Sequence, residues 1–205
     1  GRPRLWVNQE TLPIVRKRLQ DTAHSAAWNA VTAKAKSPYQ FAFDKNKEIF
    51  HNEELEKIIE TKAFYYLMTE DKKIGQEAVQ LALNYLSVLE FGNVSYGDIT
   101  REVGRAMYTP SLVYDWCYPL MNTESRALLR KDLMRLATDM EMGWPPFHGI
   151  ESVVNGHGNE AQICRDYLSM SIAIYDEDPL PYKYTSYWIL DQLVPLRKFE
   201  YQSPR

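Results

Sequence analysis

The residues best placed to do chemistry lie in the stretch NGHGNE, where Gly156 and Gly158 bracket His157 and are followed by Asn159 and Glu160. His157 and Glu160 are three apart at what reads as a helix start, so an imidazole and a carboxylate can share one side of the first turn. A carboxylate beside an imidazole fixes its tautomer and raises its pKa, which suits proton transfer or neutralisation of an anionic group. Glycine on both sides lets a ligand approach the backbone closely. The same pattern also describes a plain helix start, with Glu160 favoured by the helix dipole and His157 solvated.

Arg101 and Arg105, in DITREVGR, are four apart and can point the same way; their forked donors suit carboxylate or sulfate groups. The plainer alternative is a solvated face with Glu102 as partner. Trp144, beside two prolines in GWPPFHGIESVVNGHG, is the aromatic best placed to face a ligand, and Asn155 and Asn159 flank the glycine bracket. That stretch holds four of the nine glycines, and long irregular segments in helical domains are disproportionately functional. His148, His157 and Glu160 are acceptable metal-ligand types. Ala161 nevertheless stands where the second histidine of an inverted zinc motif would be, so no metal is assigned. Cys117 and Cys164 fall on apolar stripes without a cysteine-hydrolase motif. Tyr114, Trp116, Tyr118, Tyr167 and Tyr175, at helical spacing, read as core before they read as sugar platforms.

The elements that must position these groups are helices. Apolar residues recur at three and four along nearly the whole chain, and sustained alternation is hard to find. NEELEKIIETKAFYYLMTE puts Leu55, Ile58, Ile59, Ala63, Tyr66 and Leu67 on one face with Glu and Lys opposite. After a short break a second helix runs through Ala78, Leu81, Ala82, Tyr85, Leu86 and Leu89 until Gly92 and Asn93, and so short a connection makes the two antiparallel neighbours. A third helix starts near Asp98 and meets Pro110, where a kink or break is expected. A fourth starts at Asn122 or Thr123, buries Leu128, Leu129, Leu133, Leu136 and Ala137, and stops at Gly143. Others are expected over TLPIVRKRLQ, SAAWNAVTAKA, residues 159–176 and PYKYTSYWILDQLV. No strict repeat appears, yet helix pair follows helix pair, as in a toroid or irregular solenoid.

The 205 residues suffice for one sizeable core, and the whole chain reads as a single helical domain. With 45% hydrophobic residues and 13% aromatic, a packed fold is expected. A net charge of −3 offers no global basic field for nucleic acid or a membrane surface. No stretch approaches the roughly 20 apolar residues of a membrane span.

The segments PRLWV, VYDWCY, GWPPF and NGHGNEAQICRDYLSMSIAIYDEDP together resemble the N-terminal helical domain of heparinase II and related heparinase II/III-like polysaccharide lyases, over essentially the whole chain. The resemblance implies an all-α fold, an incomplete (α/α) toroid of antiparallel helix pairs that lacks the family's C-terminal β-sandwich domains. It implies cleavage of heparin or heparan sulfate by β-elimination at the uronic acid. His157 and Glu160 match the family's catalytic G-H-x-x-E, and Arg101 matches the substrate-contacting arginine of its DIxR segment, here DITR. Arg105, Trp144, Asn155 and Asn159 complete the expected substrate-binding set.

The family's catalytic tyrosine and second histidine, and a structural zinc in its β-rich part, have no matching positions here. The expectation is therefore a truncated lyase with no cofactor in this segment, inactive alone, with exposed apolar surface and a tendency to form homo-oligomers. The expected partner is an anionic polysaccharide, and the expected location is the periplasm or outside the cell, with a signal peptide removed before Gly1. The alternative reading is a non-catalytic domain that binds an anionic polysaccharide.

Overall fold

A computed structural model describes residues 1–46, 49–91, 100–138 and 160–202, with Thr100 and Arg101 placed by their backbone. The described residues form helices α1 (Leu12–Arg18), α2 (Ser25–Lys36), α3 (Glu53–Thr69), α4 (Lys72–Val88), α5 (Thr100–Trp116), α6 (Thr123–Thr138), α7 (Glu160–Ala173), α8 (Leu180–Ser186) and α9 (Val194–Gln202), with a π-helical stretch over Tyr187–Leu193. The all-helical expectation holds for them. No described helix is long and apolar enough to cross a membrane.

Local chemistry sets the helix ends. Asn52 Oδ1 accepts the Leu55 N–H at 3.0 Å to start α3. Asp71 Oδ1 accepts from the N–H groups of Lys73 and Ile74 to start α4, and Asn122 Oδ1 accepts the Ser125 N–H to start α6. Between α3 and α4, Glu70 takes the left-handed conformation with φ 63°, and its N–H returns to Tyr66 O at 2.7 Å, so the chain reverses in two residues.

The sequence pattern needs correction in several places. Helix α4 ends at Val88 rather than at Gly92, because Leu89 turns extended and forms a parallel bridge with Ile49. Helix α5 runs unbroken through Pro110. Its residues Val103, Met107, Leu112 and Val113 are fully buried, and that packing outweighs the roughly 3 kcal/mol that an interior proline costs. Ser111 Oγ also ties that turn by donating to Met107 O at 2.7 Å. On α3 the polar face is not all solvated: Glu56 is 6% exposed and Lys62 only 1%. Lys62 Nζ donates to the carbonyls of Ala35 and Ser37 and pairs with Glu77, closing the end of α2. Tyr65, stacked on Trp28, is buried in the place expected for Tyr66, which is half-buried. Leu128 is exposed and Leu81 half-buried, so the apolar stripes of α6 and α4 are narrower than read.

Helix α5 lies at the centre, packed against α3, α4, α6 and α7. The N-terminal segment is laid onto its far end by Asp115, a buried carboxylate. Asp115 Oδ2 accepts the N–H groups of Arg4 at 2.7 Å and Leu5 at 2.8 Å, and Oδ1 accepts from the Arg2 guanidinium at 3.2 Å. Trp116 Nε1 donates to Leu5 O at 3.1 Å. Apolar side chains are exposed along the last helices, among them Leu190, Val194, Phe199 and Tyr201.

Asp115→Ala strands the buried Leu5 N–H and two half-buried donors, on Arg2 and Arg4. Loss of about 2–4 kcal/mol in urea unfolding is expected, with faster proteolytic release of the first residues; an unchanged midpoint would contradict the role given to this carboxylate.

Candidate functional site

Two helices, α5 and α7, carry the described members of the predicted set, Arg101, Arg105 and Glu160. Gly104 of α5 faces Asp166 of α7 so closely that a β-carbon at 104 would sit 2.4 Å from Asp166 Oδ2. Near the other ends, Tyr118 Oη donates to Glu177 Oε1 at 2.7 Å, and Arg2 joins Asp115 to Asp176 at 3.2 and 3.4 Å. Residue 104 thus meets 166, and residues 115–118 meet 176–177, so α5 and α7 run parallel. Their first residues, Thr100 and Glu160, lie at the same end, with Arg101 one residue into α5.

Glu160 is described in full and is already engaged. Arg197 of α9 donates Nε to Glu160 Oε1 at 3.1 Å and Nη2 to Oε2, a two-pronged pair, while its Nη1 holds Glu200. The expectation of Glu160 as a tuner of His157 thus meets a carboxylate fixed by a guanidinium from another helix. Arg105 has as partner not Glu102 but Glu53 of α3, with Nη1 to Oε1 at 2.8 Å. His148, His157, Trp144, Asn155 and Asn159 lie outside the described residues.

Beside Arg105 a groove of about 290 Å³ opens between α3, α5 and α7, lined by Glu53, Glu60, Lys57, Arg105, Tyr108 and Arg165 among others. The Arg165 guanidinium lies over the Tyr108 ring at 4.4 Å and donates Nε to Asp166 Oδ1 at 2.7 Å. Asp166 is fully buried, and burial pushes its carboxyl up to about 6 against the pull of Arg165. Burial also raises Glu60, helped by the neighbouring Glu56. At the groove floor, Glu56 accepts from Tyr85 Oη at 3.0 Å and pairs with His51 Nε2 at 3.0 Å. The hydrogen bond to Glu56 raises the His51 pKa in spite of burial.

Asp166, Arg165, Tyr108, Glu60 and the His51–Glu56–Tyr85 set were not singled out from the sequence. A signal existed for one of them: Asp166 falls on the apolar stripe of Ile163, Tyr167 and Met170, where a carboxylate needs a reason. Cys117 is fully buried, with its thiol pushed up by burial, and burial moves Cys164 up to about 11. Neither is poised as a thiolate. Tyr114, Trp116 and Tyr167 are core as read, whereas Tyr175 is exposed against Tyr182. Among the described residues, no group of three or more His, Cys, Asp or Glu side chains is arranged to hold a metal.

Two predictions follow from the α5–α7 contact. Gly104→Ala displaces the buried Asp166 carboxylate from its place against α5 and is expected to cost about 1–3 kcal/mol, read as a lower thermal midpoint. The folded state keeps a proton on Asp166 between about pH 4 and pH 6 that the unfolded chain has lost, so stability falls as pH rises through that window. Asp166→Asn should flatten that part of the stability profile; an unchanged slope would count against the assignment. Neither a protein-family model nor a curated protein matches the chain.

Proposed function

We propose that the chain is the N-terminal helical part of a polysaccharide lyase of the heparinase II/III-like kind, built as part of an (α/α) toroid, acting on heparin or heparan sulfate-type chains outside the cytoplasm. The observation that supports this reading is the parallel packing of α5 and α7. It sets Arg101 and Glu160, on separate helices and 59 positions apart in the sequence, at one end of a single helix pair.

The chemistry accounts for the residue types. β-Elimination removes the C5 proton of a uronate; the C5–H electron pair becomes the C4=C5 double bond, and the C4–O bond breaks with its electrons leaving on the glycosidic oxygen, which is then protonated. The neighbouring carboxylate is already negative, so the developing charge must be stabilised by cations or shared protons. Arg101 holds the uronate and His157, three positions before Glu160, faces its carboxylate or C5 proton. Glu160, locked by Arg197, fixes the first turn of α7, and the reading assigns it a positioning role toward His157. The groups this reading assigns within these residues bind and orient the uronate, so glycan binding is the behaviour that tests them.

Titration with heparan sulfate oligosaccharides should show binding that Arg101→Ala and His157→Ala each weaken roughly tenfold, with no unsaturated uronate absorbance on long incubation. Absence of binding to any uronate-containing glycan would overturn the reading. New saturated reducing ends would point to hydrolysis instead.

A further inference from the structure

Trp6 is 77% exposed and sits at φ 66°, in the left-handed region that a bulky residue adopts only under constraint. The N–H of Val7 returns to Leu5 O at 2.8 Å, so Trp6 is the centre of a γ-turn of the strained, positive-φ kind. The strain is imposed from the core. Leu5 is buried, its N–H is held by Asp115, and its carbonyl also accepts from Trp116. With Leu5 fixed inward on both sides of its peptide, the next side chain is turned out into solvent. Trp6 does not swing freely there, because its indole N–H donates to Tyr108 Oη, and Tyr108 lines the groove between α3, α5 and α7. An indole with one edge anchored and its face open, held at the cost of backbone strain, is arranged for a flat ligand surface.

The groove beside it says which kind. Its ionic side chains are Glu53, Glu56 and Glu60 against Lys57, Arg105 and Arg165, three of each sign. Arg105 is paired to Glu53, Arg165 to Asp166 and Glu56 to His51. Such a lining presents donors and acceptors in alternation with no surplus charge for a sulfate or for a free cation. Hydroxyl groups, which donate and accept, match it.

We propose that Trp6 and the Tyr108–Arg165 side of this groove form a saccharide subsite, in which the indole face stacks on the C–H face of an uncharged pyranose and the groove binds its hydroxyl or N-acyl groups. The subsite rests on the lyase reading for the polymer it serves, and takes the hexosamine rather than the uronate of the repeat.

Calorimetric titration of the whole chain tests it with three probes: an unsulfated hexasaccharide of alternating glucuronate and N-acetylglucosamine, maltohexaose, and choline. Trp6→Gly removes the ring and relieves the strain, so the thermal midpoint should not fall while affinity for the glucuronate hexasaccharide drops roughly tenfold. Affinity unchanged in Trp6→Gly, or Trp6-dependent binding of choline without either hexasaccharide, overturns the subsite. Binding that His157→Ala abolishes and Trp6→Gly spares would sink the subsite and keep the lyase reading. Trp6-dependent binding of maltohexaose alone would keep the subsite and sink the lyase reading.

Discussion

The carboxylate of Asp115 is the point on which the described architecture turns. Near the end of the central helix α5, it is shut off from water and accepts from two consecutive backbone N–H groups and one guanidinium. A buried carboxylate is tolerable only when its oxygens are so occupied. The same Arg2 that serves Asp115 reaches Asp176 just past α7, and Arg4 joins it there with two contacts of 2.8 Å, which depress the Asp176 pKa. One segment thus fastens the ends of two parallel helices, while Gly104 and Asp166 set their spacing further along. The relative position of Arg101 and Glu160 is a consequence of these two contacts, neither of which involves either residue.

A second regularity concerns helix C-termini, whose last carbonyls lack intrahelical donors. Here the missing donors come from long cationic side chains on other helices. Lys62 of α3 closes α2 through the carbonyls of Ala35 and Ser37. Arg16 of α1 closes α3 through Leu67 O at 3.1 and 2.7 Å, and Arg135 of α6 closes α4 through the carbonyls of Leu86 and Leu89. Each bond joins a positive charge to the negative end of a helix dipole and locks two helices at once. Lys62 is the strongest case, because it is nearly inaccessible and its ammonium satisfies the carbonyl of the fully buried Ala35.

Periodicity made the helices legible, since burying a stripe is a local matter of spacing: Leu55, Ile59 and Ala63 on α3, or Leu129, Leu133 and Leu136 on α6, are buried as read. It misplaced Glu56 and Lys62 because a charged residue looks solvated until its partner is known, and Ala35, Glu77 and Tyr85 come from other helices. At Pro110 the helix is not broken, because packing against four neighbouring helices outweighs a local preference. In the site, helical spacing identified Arg101 and Arg105 as neighbours, but not that Glu53 would hold Arg105. Trp6 carried no signal at all: its exposure follows from the clamp on Leu5, a contact between residues more than a hundred positions apart.

These pairings constrain how an anionic polymer could be held. Arg105, Arg165 and Arg197 each have a carboxylate partner within the fold, on Glu53, Asp166 and Glu160. An anion competing for Arg165 must displace a fully buried carboxylate, which would then lie uncompensated in the core. Arg105 is the easier to recruit, because its pair with Glu53 is exposed and such pairs are worth at most about 1 kcal/mol. On the proposed reading, recognition of charge therefore falls to Arg101, His157 and, by exchange of partners, Arg105. The neutral groove that Arg105 lines leaves the intervening sugar to shape and hydrogen bonding. The unsulfated, N-acetylated stretches of heparan sulfate alternate a charged uronate with an uncharged hexosamine and match that division, whereas heparin, sulfated on its hexosamines, does not.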